Sequence, residues 1–247
     1  MKVTNIVLIL FVSLFATTNI YAKKSSVPEI LKEHKDRALF TKVKNKVKFT
    51  PLFNGKNFDG WYIYTKHGVN NDVEKAFNVE NGLIRLAGES MGYVCTTDTY
   101  KNYYLRVVFR WGEKKYPPRQ NQRRDSGIMY HFPNGEKNVL WPKSIECQIQ
   151  EEDCGDYWCV NGATADSPNQ SKMEGTMNHI IRTDNFENPG QEWNTIEIIC
   201  IDNKSEHYVN GHLVNHAYNL SVSEGKILLQ LEGAEIFYKT VELLPLK

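Results

Sequence analysis

A chain of 247 residues, 41% hydrophobic and 24% charged, has the size and balance of one sizeable globular domain or two small ones. Its 30 basic and 29 acidic residues leave a formal charge of +1, which excludes a general electrostatic pull towards nucleic acid. The aromatic fraction of 12% favours strands and suits either strand packing or the lining of a carbohydrate site.

Residues 1–22 read as a secretory signal. Lys2 supplies the charged start, "IVLILFVSLFA" the apolar centre, and "NIYA" a small residue at Ala22. The apolar run is too short to span a bilayer comfortably, and no second hydrophobic segment follows it. An exported chain without a membrane anchor is expected. Cleavage after Ala22 removes only Lys2 among the charged residues, leaving 30 − 1 = 29 basic against 29 acidic residues. Residues 23–46 form a polar lead, with one short helix expected near Pro28 to Phe40. Residues 47–247 are expected to be the folded domain.

That domain reads as strands. "AFNVENGLIRLAG" is two runs around Asn81-Gly82, and "EHYVNGHLVN" repeats the device at Asn210-Gly211. Asn-Gly tolerates the positive φ of a type I′ turn, so each pair predicts a hairpin. "YYLRVVFRW" alternates, with Tyr103, Leu105, Val107, Phe109 and Trp111 on one face and Arg106 and Arg110 on the other. "SGIMYHF", "SIECQIQ", "NTIEIICID", "KILLQLEG" and "EIFYKTVEL" add further strands. Residues 112–125 and 153–192 read as long irregular stretches, and loops of that length are usually functional or disordered. Many short strands and few helical stretches predict an all-β jelly-roll sandwich of two antiparallel sheets.

Five cysteines in an exported chain leave at least one unpaired. Cys147 and Cys200 sit in strand-like runs and read as small buried hydrophobes. Cys154 and Cys159 are close enough in sequence to bridge, though their spacing does not fix the geometry. A zinc site from them lacks the paired CxxC spacing.

"SIECQIQEED" places Glu146, Gln148 and Gln150 on one face of its strand. Such a row is either a solvated sheet face or the floor of an active site. Ordinary glycoside hydrolysis usually needs two carboxyl groups. Gln148 and Gln150 cannot serve as carboxylates, although Glu232 or Asp125 could supply a second acid from elsewhere. "LQLEG" gives a second polar row, Gln230 and Glu232. Gln148 and Gln230 suit hydroxyl recognition, because an amide both donates and accepts. Arg124, beside Asp125, reads either as an oxyanion partner or as a solvated loop charge. Tyr157, Trp158 and Trp141 read either as stacking platforms for sugar rings or as ordinary packing.

"PLFNGKNFDGW", "RRDSGIMYHF", "SIECQIQEEDCGDYW", "GQEWNTIEIIC", "YVNGHLV" and "LQLEGAEIFYKTVEL" resemble, in order, the blocks of a large bacterial family. Once known only as a domain of unknown function, it is now described as 3-keto-disaccharide (3-keto-glycoside) hydrolases. The resemblance covers about residues 50 to 247. It implies a concanavalin A-like sandwich acting on a glycoside or oligosaccharide, usually in the periplasm. In a 3-keto sugar the C3 carbonyl acidifies the C2 hydrogen, so a base, an enolate-holding group and an acid suffice for elimination at C1 and rehydration. His131 is the expected base, since imidazole titrates near neutrality, or else a hydrogen-bonded strand histidine. Glu146 is expected as a second acid or base or as a metal ligand, or else as an exposed strand carboxylate, and Glu232 as a further catalytic group. A divalent metal on His131, Glu146 and a third ligand is a further expectation of the resemblance, with no contiguous motif behind it. The rival expectations are a noncatalytic carbohydrate-binding module and a conventional hydrolase of unoxidised glycans.

Overall fold

The computed structural model describes residues 48–246, so the expected signal and the expected helix near Pro28 to Phe40 lie outside the described residues. Strands in chain order begin with β1 Thr50–Pro51, β2 Trp61–Thr65, β3 Gly68–Val69, β4 Phe77–Glu80, β5 Leu83–Leu86 and β6 Met91–Thr96. The middle of the chain gives β7 Tyr103–Lys115, β8 Gly127–Phe132, β9 Ser144–Gln148, β10 Tyr157–Val160, β11 Ser171–Glu174 and β12 Met177–Ile180. The last five are β13 Asn194–Ile201, β14 Lys204–Val209, β15 His212–Ala217, β16 Lys226–Glu232 and β17 Ala234–Pro245.

They form two antiparallel sheets. One runs β15-β14-β13-β7-β17-β5-β4, with β1 against β17; the other runs β11-β12-β10-β9-β8-β16-β6-β2-β3. The architecture is the expected all-β jelly-roll sandwich. Asn81-Gly82 joins β4 to β5 and Asn210-Gly211 joins β14 to β15, all four residues at positive φ. Primed turns of this kind match the right-handed twist of the strands they connect.

The core lies between the sheets. Leu105, Val107, Phe109 and Trp111 of β7 face inward, against Ile128, Ile145, Cys147 and Leu229 of the second sheet, and all are fully buried. Each large apolar side chain so buried contributes roughly 1.5–3 kcal/mol. The alternation of β7 sends Arg106 outward to Glu242 at 3.0 Å and Arg110 onto the ring of Phe237. The five cysteines carry free, buried thiols, so Cys154 and Cys159 do not bridge.

Two readings need correction. Residues 112–115 extend β7, and β10, β11 and β12 lie within 153–192, so neither stretch is one long loop. Their strands are short, and β11 ("SKME") is largely exposed, which leaves no hydrophobic alternation to read.

Candidate active site

Inward-facing Ile145 and Cys147 commit Glu146 and Gln148 to the outer face of the nine-stranded sheet. Glu146 stands opposite Met129 of β8 and Trp158 of β10 in the antiparallel ladders. Gln230 and Glu232 reach the same face from β16. Together they floor a cleft of about 480 Å³ whose walls include Arg119, Asp125, Trp141 and His179. Gly127 leaves room for these side chains, because a Cβ there would stand 2.0 Å from Glu146 Oε1 and 2.9 Å from Gln230 Oε1.

Five carboxyl groups line this cleft. Arg119 bridges Asp125 and Glu232 through one nitrogen, Nη2. Asp153 pairs with Arg123 at 2.6 Å and Arg182 at 3.1 Å, and Glu174 pairs with Lys172 at 2.7 Å. Glu146 alone makes no ion pair or side-chain hydrogen bond among the described residues, although it is only 5% exposed. Burial, reinforced by the charges of Asp125 and Glu232, pushes its pKa well above the usual carboxylate range. The cleft therefore favours its protonated form. Burial also lifts Asp125 to about 7; the Glu232 charge adds to the shift and Arg119 opposes it. Asp125 Oδ2 accepts from Gln150 Nε2 at 2.8 Å, whereas Oδ1 is buried without a partner among the described residues.

A second cluster closes one wall. His179 bonds Asp156 Oδ2 through Nε2 at 2.7 Å and Glu174 Oε1 through Nδ1 at 2.9 Å. Burial opposes its charge, but the bonds to Asp156 and Glu174 outweigh burial and raise its pKa. With a carboxylate on each nitrogen, both ring nitrogens donate and the ring is an imidazolium. It lies flat on Trp158, whose place on β10 is directly across the ladder from Glu146.

The structure thus brings Glu146, Gln148, Gln230, Glu232 and Trp158 into one cleft. Gln148 Oε1 accepts the backbone N–H groups of Ile149 and Gln150, so much of its acceptor capacity serves the strand end. Three expected site residues lie elsewhere. His131 sits at a β-bulge, with φ at 60°, where Tyr130 opposes Ile227 and Phe132 opposes Lys226. The extra residue reverses the alternation. Phe132 joins Met129 on the outer face, and His131 turns inward against Tyr103 and Tyr130. It is fully buried, its Nδ1 is 3.1 Å from the Val222 carbonyl, and burial lowers its pKa to about 4. His131 is therefore not the base of this cleft. Tyr157 also faces the interior, stacked 3.6 Å from His207. Arg124 binds Glu151 at 2.5 Å, and Arg119 occupies the position expected of it.

The expected metal does not fit. His131 and Glu146 project from opposite faces of their sheet, and no group of three or more His, Cys, Asp or Glu residues suited to a metal occurs among the described residues.

The sequence does little to mark Arg119 or His179 as functional. Arg119 is one of several basic residues in "RQNQRR" with nothing to single it out. His179 carries a signal only in the ladder that sets it opposite Trp158.

The chain belongs to the family described as the 3-keto-alpha-glucoside-1,2-lyase-like domain, whose family model matches residues 48–244. No match is found among curated proteins. Its fold is similar to that of a protein from Parabacteroides distasonis ATCC 8503 provisionally assigned as a glycosyl hydrolase. That likeness has a TM-score of 0.58 at 20% identity, covering 90% of this chain and 99% of the other. It is similar also to a Bacillus licheniformis beta-glucanase, with a TM-score of 0.52 at 13% identity and coverage of 81% and 98%. A third likeness is to LamAcat from Zobellia galactanivorans, with a TM-score of 0.52 at 11% identity and coverage of 82% and 98%. Family and fold together are those of glycosyl hydrolase-like proteins.

Proposed function

We propose that this chain, as a member of that family, is an exported enzyme that cleaves 3-keto glycosides by elimination across C1–C2 and rehydration. One observation carries the reading. The single cleft carboxyl without a protein partner among the described residues is Glu146, whose burial and acidic neighbours favour its protonated form. Asp125 and Glu232, the nearest charges on it, share Arg119. Double displacement needs a free carboxylate nucleophile facing an acid. This cleft offers a free acid and a modest base instead, which suits a substrate whose own ketone acidifies C2.

In this mechanism Asp125 takes the C2 proton. The electron pair left behind passes through the C3 enolate, whose charge faces the cationic walls supplied by Arg119 and His179. It then forms the C1–C2 double bond as the C1–O bond breaks, and Glu146 protonates the departing oxygen. Water adds at C1 of the resulting enone, giving its proton to the Glu146 carboxylate, while Asp125 returns a proton to C2. Both carboxyls end as they began. Burial raises both pKa values, and the two acids differ in that Arg119 and Gln150 favour the charged form of Asp125 while Glu146 has no such partner among the described residues.

The test is turnover of methyl 3-ketoglucoside and of its parent glucoside in deuterium oxide. Expected are cleavage of the ketone alone and deuterium at C2 of the product. Equal rates on both sugars, or a product free of deuterium, would favour conventional hydrolysis.

A further inference from the structure

Beside the polar cleft lies a second, larger cavity of about 740 Å³. Trp141 and Met177 line both. The second cavity is otherwise walled by Tyr64, Val139, Leu140 and Val160, with Asn161 and Thr176 as its polar members, and no charged side chain lines it. The contrast with the cleft, where five carboxyls and several cations converge, is abrupt. The apolar wall is also held in place. Tyr62 and Tyr93 donate hydrogen bonds from the sheet face to Asn138 Oδ1, at 2.9 and 2.8 Å, immediately before Val139, Leu140 and Trp141. Ser144 Oγ donates to the Pro142 carbonyl at 2.8 Å on the other side. Tyr64 is fixed by stacking on fully buried Tyr93.

We propose that this annex is the leaving-group subsite and that it takes a flat aromatic alcohol, so that the preferred substrates are aryl 3-keto glycosides. The inference rests on the reading that the cleft holds the 3-keto sugar. With the sugar over Glu146, the group attached at C1 must leave by one of the cleft's openings, and the annex is contiguous with it at Trp141 and Met177. A second sugar there would find only Asn161, Thr176 and the Tyr64 hydroxyl for its several hydroxyls, and stranding the rest would cost affinity. An aromatic ring gains apolar burial, stacking on the 40%-exposed Trp141 indole and contact with the Met177 sulfur. The departing phenolic oxygen needs only the Glu146 proton.

Two measurements test this. Binding of 2-naphthol, followed by calorimetry, requires no ketone chemistry. It is expected to weaken roughly tenfold or more in Trp141→Ala and in Leu140→Asp, which puts a charge into the annex alone. Second, Leu140→Asp is expected to lower kcat/KM for 2-naphthyl 3-ketoglucoside by a similar factor while sparing methyl 3-ketoglucoside. Absence of naphthol binding, binding indifferent to both substitutions, or equal losses on both glycosides would overturn the subsite. Naphthol binding that depends on Leu140, in a protein that turns over neither glycoside, would keep the aromatic site and remove the reaction. Unchanged melting temperature in Leu140→Asp guards against simple misfolding.

Discussion

The rings of Trp158 and His179 lie 4.2 Å apart and 9° from parallel, with a carboxylate on each imidazole nitrogen. The arrangement turns a wall of the cleft into a fixed cation–aromatic plate. His179 holds the indole, and Asp156, also bound by Arg182, holds His179.

This plate sets a pH dependence. The raised pKa of His179 contributes stability that is complete below the ordinary histidine value and is lost as pH rises through the folded value. Asp156 and Glu174 titrate lower when folded, and their contribution is lost as pH falls through their own folded values. Stability from the cluster is therefore greatest between the two limits. His179→Ala is expected to cost roughly 1–3 kcal/mol near neutrality, because buried Asp156 loses a charged partner. Its pH–melting curve should be flatter on the alkaline side. Curves that superimpose with wild type would show that His179 is uncharged.

Gly127→Ala separates chemistry from folding. The added Cβ would meet the carboxyl of Glu146 and the amide of Gln230 at impossible distances. Both are ends of flexible side chains, so the strand survives and the side chains swing aside. The expected result is a small change in melting temperature with a loss in kcat/KM of roughly 10²-fold or more, the scale for misplacing a reacting group. Full activity in the variant would place the chemistry away from Glu146.

Asp125 predicts the acid limb of activity. Its pKa of about 7, against an ordinary 3.8, makes its carboxylate available as pH rises through neutrality, so kcat/KM should climb there. The sign for stability is opposite. A raised carboxyl pKa favours the folded state below the ordinary value, and that advantage fades as pH rises through about 7. Asp125→Asn cannot ionise. It should gain on wild type between pH 4 and 8, by a ceiling of about 4 kcal/mol for a shift of some three pH units. Denaturant midpoints across that range decide the matter, and a constant difference between the two proteins rejects the assignment.

Much of this fold was legible because its signals are local. Asn-Gly pairs need positive φ wherever they occur, and the alternation of β7 reports a buried face without reference to any partner. Glu146, Gln148, Gln230 and Glu232 were found for the same reason, since i, i+2 spacing fixes a shared face. His131 was misread because one bulged residue reverses a strand's alternation, and the bulge is a property of the β8–β16 pairing rather than of "MYHF". Adjacent Tyr157 and Trp158 necessarily face opposite ways, but only pairing with β9 says which way each points. Arg119 and His179 gain their roles from distant carboxylates, to which no sequence window refers. The correction has its own test. His131→Asn, a residue that tolerates positive φ, should lower stability but leave the turnover of folded protein close to wild type, and a large loss of turnover would return His131 to the mechanism.

Glu146→Gln tests the assignment at the centre of the cleft. The amide matches the neutral carboxyl in shape and removes the proton that the departing oxygen needs. Stability should hold or rise, since no ionised state of a buried group remains to be disfavoured. With methyl 3-ketoglucoside the rate should fall by roughly 10²–10⁴-fold, the range for a lost general acid. A methoxide leaving group depends on that proton far more than a naphtholate does, because the naphtholate carries its own charge well. The loss with 2-naphthyl 3-ketoglucoside should therefore be much smaller. Exchange of the C2 hydrogen with solvent should continue in the variant, because Asp125 still removes it when departure at C1 is slow. A variant that loses both glycosides equally and also stops exchange would make Glu146 the base, and Asp125 would then have to be the acid.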